Sequence, residues 1–233
     1  METLFGHQDS ICGIDCGSRE RCITVGGRDA TARLWKIVEE SQLVFNGPQS
    51  SLDCVKLLNE EHWVTAGEDG HLAVWGVQKK KPLALVSRQD WLFHFYSIFS
   101  FMTSLVILSV ACCNDYEMSL SKVQQSHGKD PSNEDPHWVS AVATLTNTDT
   151  VITGSRDGWL RVWQVGEGFR SIKEVHKIPV KGFVNSLSLS TCGGWIVAAV
   201  GQEHRLGRWW RDKQAKNKLV IIKIPESDNL NDS

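Results

Sequence analysis

Three stretches of this chain repeat one pattern, an aspartate followed six positions later by a tryptophan: Asp29 with Trp35, Asp69 with Trp75 and Asp157 with Trp163. Each follows an apolar run that ends in turn residues (22–26, 63–67 and 151–154) and precedes another strand-like run, so the local unit reads strand, tight turn, strand. A fourth stretch, Gln202 to Trp210, aligns on the same template with His204 in the aspartate place. From Trp35 to Trp75 is 40 residues and from Trp163 to Trp210 is 47. A unit of this size cannot bury its apolar face alone, so consecutive units must stack and share a core.

The period is close to the ~40–45 residues of a four-stranded propeller blade. The predicted strands are 11–16, 22–26, 31–37 and 41–46 in a first blade, and 51–58, 62–67, 72–77 and 82–86 in a second. In a third they are 139–145, 150–154, 160–165 and 171–178, and in a fourth 183–190, 195–200, 206–211 and 218–224. Helix is expected to be scarce, and Glu2 to Phe5 reads as the outer strand of a preceding blade. The fold class is all-β. Four blades stand at the low end of the ~4–8 seen in propellers, so the expectation is an incomplete arc of a larger propeller. Its uncovered ends would exceed the ~300–600 Å² of apolar patch that a monomer tolerates, which predicts a fragment, an isoform or a product that aggregates alone.

These stretches resemble WD repeats. That resemblance implies a buried hydrogen-bonded set in each blade: a histidine before the first strand, a hydroxyl on the second, the turn aspartate and the third-strand tryptophan. Mutual partners are needed there, since each buried polar group left unsatisfied costs ~1–3 kcal/mol. In the first blade His7, Asp29 and Trp35 keep the set, with Val25 in the hydroxyl place. The second keeps Thr65, Asp69 and Trp75 but has Gly47-Pro48 where Gly-His is expected. The third keeps Thr153, Asp157 and Trp163, with His127 or His137 as its imidazole. The fourth keeps Trp210, with His204 in place of Asp. All of these residues read as structural and not catalytic.

Composition narrows the functional classes. With 25 basic and 27 acidic residues the formal charge is -2, so no global field draws the chain to nucleic acid or membrane, and any such binding needs a local patch. Seven cysteines (Cys12, Cys16, Cys22, Cys54, Cys112, Cys113, Cys192) are an odd number without CxxC spacing, which argues against a zinc site and a disulfide framework and for reduced thiols in cytosol or nucleus. No secretory signal opens the chain. Motifs for nucleophilic, phosphate-binding or metal chemistry are missing, so no enzyme activity, no metal, no cofactor and no small-molecule substrate is expected.

Between the second and third blades the repeat lapses. The 23 residues 91–113 carry no Asp, Glu, Lys or Arg and as a helix would span ~34 Å at ~1.5 Å per residue, enough for a ~30 Å hydrocarbon core. A span there would place stacked blades on opposite sides of a membrane, so membrane insertion is not favoured. A partner-binding insertion or a stretch alien to the fold, such as translated intron, are the other readings. The chain then divides into two blades at 1–86, an atypical hydrophobic insertion with a polar loop at 87–137, two blades at 138–225 and a solvated tail at 226–233.

A narrower resemblance rests on Gly26-Gly27-Arg28-Asp29, Glu39-Glu40-Ser41-Gln42-Leu43-Val44-Phe45, Lys79-Lys80-Lys81-Pro82-Leu83 and, above all, Val200-Gly201-Gln202-Glu203-His204-Arg205-Leu206-Gly207-Arg208-Trp209-Trp210-Arg211. They resemble the WD subunits specific to the U-three small nucleolar ribonucleoprotein. The resemblance implies a nucleolar scaffold within the nucleus that binds U-three small nucleolar RNA together with core proteins of that particle, in ribosomal RNA precursor processing for the small subunit. The residues give a separate hint. Arg205, Arg208, Arg211, Lys213, Lys216 and Lys218 surround Trp209 and Trp210, and cations with an exposed indole suit phosphates and bases. Lys79, Lys80 and Lys81 are a second candidate patch. Against this stands a solvated loop between the third and fourth strands with Trp210 in the core. The rival function is a protein-only WD adaptor, as in ubiquitin-ligase or chromatin scaffolds.

Overall fold

In the computed structural model, which describes residues 5–86, 127 and 136–224, runs of β-branched and aromatic residues broken by polar turns form antiparallel sheets. The first blade is β1 (Ile11–Cys16), β2 (Arg21–Gly26), β3 (Thr31–Lys36) and β4 (Ser41–Asn46). The second is β5 (Cys54–Leu57), β6 (His62–Ala66), β7 (Leu72–Gly76) and β8 (Lys79–Leu85). The third is β9 (Ala141–Thr144), β10 (Thr150–Gly154), β11 (Trp159–Val165) and β12 (Ile172–Pro179). Each is a meander in chain order, as short antiparallel connections favour. Among the described residues the helical content is a single turn, Glu167–Phe169.

The fourth blade departs from expectation. It contains β13 (Phe183–Leu189), β14 (Trp195–Gly201) and β17 (Lys218–Lys223), and β17 pairs directly with β14. The stretch expected as its third strand forms a separate two-stranded hairpin, β15 (Glu203–His204) with β16 (Gly207–Arg211). The register explains the change. Ile196, Ala198 and Val200 lie opposite Ile222, Val220 and Lys218, which places Val220 and Ile222 of β17 on the face that packs against the third blade. Gly207-Arg208-Trp209-Trp210-Arg211 offers no comparable β-branched run.

Consecutive blades pack through one rule. The tryptophan face of each lies on the opposite face of the blade before it. Trp63 and Trp75 of the second blade meet Ile23, Val25, Leu34 and Phe45 of the first, with Phe45 edge-on to Trp63 at 4.8 Å and 78°, geometry that adds ~0.5–1.5 kcal/mol to area burial. Val151 and Trp163 of the third blade meet Val64, Leu72 and Val74 of the second. Inner strands β1, β5, β9 and β13 stand side by side around a central cleft of about 300 Å³. The two end faces are open: Ile14 of the first blade is 60% exposed, and Leu219 and Ile221 of the fourth are 70% and 64% exposed.

The hydrophobic run 91–113, the polar loop at 129–135, the tail 226–233 and residues 2–4 of the expected outer strand lie outside the described residues. Phe5 is described and sits in no strand. No helix among the described residues is long and apolar enough to cross a membrane.

Candidate functional site

Two kinds of polar constellation stand out, one inside the blades and one at the hairpin. Inside the first blade the indole Nε1 of Trp35 donates to Thr24 Oγ1 at 2.8 Å, Thr24 Oγ1 lies 2.7 Å from His7 Nε2, and His7 Nδ1 lies 2.7 Å from Asp29 Oδ2. The indole can only donate and the carboxylate can only accept, so Nδ1–H of the imidazole points to Asp29 while its Nε2 faces the threonine hydroxyl. Gly26 makes room for this, because a methyl there would collide with His7 and Asp29. Thr24, and not Val25, therefore supplies the hydroxyl. Val25 faces the second blade, and an extra glycine in the turn before Asp29 had displaced the alignment by one.

The third blade repeats the set with His127 as its imidazole: Trp163 Nε1 donates to Thr153 Oγ1 at 2.8 Å, His127 Nε2 lies 2.7 Å from that oxygen, and Nδ1 lies 3.0 Å from Asp157. In the second blade Trp75 Nε1 donates to Thr65 at 2.8 Å, but Thr65 donates to Gln49 Oε1 at 3.1 Å. An amide one residue past Gly47-Pro48 thus replaces the imidazole, and Asp69 turns to His71, 2.9 Å from its Nδ1. Burial raises Asp157, yet contacts from His127 and Arg161 outweigh it and hold the carboxyl below its usual range. Burial also lowers the His127 pKa, more than Asp157 restores it.

No such set forms in the fourth blade. On the face that carries tryptophan elsewhere, β17 presents Val220 and Ile222, so Trp210 is not a core tryptophan and His204 does not stand for the turn aspartate. His204 instead lies buried under Trp138, with centroids 4.3 Å apart, and its Nδ1 accepts from the Leu206 backbone N–H at 3.2 Å. Burial, reinforced by the nearby cations Arg205 and Arg156, pushes the His204 pKa down to about 4.

The candidate RNA-binding residues separate into four groups. Arg205 turns toward the propeller centre, where its guanidinium donates to the carbonyls of Ser140 at 3.1 Å and Asp53 at 3.0 Å. That contact ties the hairpin to the second and third blades and takes two of its donors from any ligand. Arg208 and Arg211 stay on the surface, sharing the carboxylate of Glu203 at 3.3 and 3.7 Å. Lys213, Lys216 and Lys218 are exposed on the segment leading into β17. This basic stretch thus lies between the second and third strands of its blade, not the third and fourth. Lys79, Lys80 and Lys81 open the outer strand of the second blade, so they form a separate patch on the rim.

Two residues beside the hairpin escaped sequence reasoning. Trp138 donates its Nε1 to Asp53 Oδ2 at 2.9 Å and stacks beside Trp209 with centroids 6.2 Å apart and planes 20° apart. Arg156 lies over the Trp210 ring, 4.5 Å from its centroid. Trp138 lies outside the repeat pattern, and Arg156 lies inside it, before the turn Asp157 as Arg28 lies before Asp29, a place that gives no sign of a contact with Trp210. Arg156, Phe183, Trp209, Trp210 and Arg211 line a cleft of about 340 Å³.

Stacked four-stranded blades joined by Trp-Thr-His-Asp sets define a WD-repeat β-propeller. The model of the WD domain, G-beta repeat, matches residues 1–36 and 129–164. Within that class the chain is 48% identical over 186 residues to U3 small nucleolar RNA-interacting protein 2 of Mus musculus, a match covering 80% of this chain and 32% of that one. It is 28% identical over 255 residues to Ribosomal RNA-processing protein 9 of Saccharomyces cerevisiae, covering 90% of this chain and 42% of that one. The solved structure of U3-55K superposes with a TM-score of 0.77 at 47% identity, covering 96% of this chain and 58% of that one. The chain therefore spans about a third of the mouse relative's length.

Proposed function

We propose that this chain is a non-catalytic scaffold of a U3-type small nucleolar ribonucleoprotein, working in the nucleolus in ribosomal RNA precursor processing for the small subunit. In this reading it contacts the small nucleolar RNA together with core proteins of the particle. The observation that carries it is the 48% identity to a U3 small nucleolar RNA-interacting protein across 80% of the chain. The exposed Arg208, Trp209 and Arg211 of the hairpin supply local cations and an aromatic face that the overall charge of -2 does not. In the first and third blades the Asp and His side chains are engaged by each other and the His by Thr, as parts of the blade framework.

The test is crosslinking and immunoprecipitation of the tagged 233-residue chain from cells, with sequencing of the bound RNA and imaging of the tag. Enrichment of U3 small nucleolar RNA and nucleolar signal are expected. Recovery of proteins without enriched RNA would instead make the chain a protein-only WD adaptor.

A further inference from the structure

Three rings follow one another at the hairpin: His204, buried; Trp138, 4.3 Å from it and tilted by 32°; and Trp209, 6.2 Å from Trp138 with planes 20° apart. The series is held from several sides. Trp138 is fixed by its hydrogen bond to Asp53, and Gly207 fits against the Trp209 ring so closely that a methyl there would collide with it. Yet the last ring of this series is 66% exposed. It is also more exposed than Trp159 (40%) and Trp195 (44%).

The charge beside that ring is mostly positive. Arg156 and Arg211 line the cleft next to Trp209, with Asp212 among the lining residues, Arg208 and Arg211 share one carboxylate, Glu203, Arg156 lies over the adjoining Trp210, and Lys213 follows on the exposed turn. A flat aromatic surface beside guanidinium groups matches a ligand that is flat and carries anionic links on either side. We propose that one unpaired base of single-stranded RNA stacks on the open face of Trp209, continuing the series, with its flanking phosphates on Arg208 and Arg211. The inference rests on the RNA reading above and adds where and in what form RNA is held. Bases inside a duplex have both faces covered, so the site selects unpaired nucleotides.

The experiment uses the 233-residue chain and follows tryptophan fluorescence on titration with oligouridine, oligoadenosine, a blunt RNA duplex and a proline-rich peptide. Both single strands are expected to quench and bind, with the duplex and the peptide at least tenfold weaker. Trp209→Ala should weaken single-strand binding about tenfold, the scale of one base–aromatic stack, while Trp209→Phe keeps most of it. Arg208→Gln with Arg211→Gln should flatten the salt dependence. Circular dichroism checks that the variants fold, which the exposure of all three side chains favours. Equal binding by Trp209→Ala, equal binding of the duplex, or preference for the peptide would overturn the proposal. In cells, U3 enrichment that survives Trp209→Ala would remove this site and leave the ribonucleoprotein reading standing. Single-strand binding through Trp209 without U3 enrichment would do the reverse.

Discussion

Each blade set is a relay of hydrogen bonds in which every buried polar atom depends on the next. Thr153→Val keeps the shape of the side chain and removes the hydroxyl, leaving the Trp163 indole and the His127 Nε2 without their shared partner. A loss of about 1–3 kcal/mol is expected in denaturant unfolding, the scale of a buried polar group stripped of its partner. Thr24→Val should cost a similar amount, and Val25→Thr should not restore it. Two histidines also give stability a pH dependence. The folded pKa of His204, at about 4, and that of His127 both lie below the ordinary value of 6.5, so the unfolded chain binds more protons as pH falls through that window. Stability is then full above about pH 6.5 and declines toward about pH 4. Unfolding midpoints measured across that range check the slope, and His204→Gln should reduce it between those limits.

At the scale of elements, the hairpin is held by Arg205 in its turn and by the contacts of Trp138 with His204 and Trp209 along its strands. Arg205→Ala removes donors to the Asp53 and Ser140 carbonyls and should raise amide hydrogen exchange in 203–211 while leaving β14 and β17 protected. Gly207→Ala should disorder the tip, visible as a shift in tryptophan emission. Twelve strands of the first three blades were legible because an alternating apolar pattern and a turn aspartate both marked them, and only ends moved, as at β5. The fourth blade misled because Trp210 matched the motif while its neighbours lacked a β-branched run. A single motif residue was weaker evidence than the unbroken apolar, largely β-branched run Leu219 to Ile222. Likewise Arg205 read as a surface cation, since sequence spacing cannot tell a phosphate from a backbone carbonyl as the acceptor.

On the whole-molecule scale, the blade-stacking rule leaves one face unpaired at each end, with Ile14 at one and Leu219 and Ile221 at the other. The 233-residue chain on its own should self-associate with rising concentration, seen by sedimentation velocity. Leu219→Lys with Ile221→Thr should shift it toward monomer without lowering the unfolding midpoint, because neither side chain is buried. Direct pairing of β17 with β14 makes the 202–217 stretch an excursion from a three-stranded sheet that is paired without it. Replacing that excursion by a short turn would leave the β14–β17 ladder intact while removing the Arg205 tie to the second and third blades, so the hairpin can change in sequence without altering how its own sheet is paired.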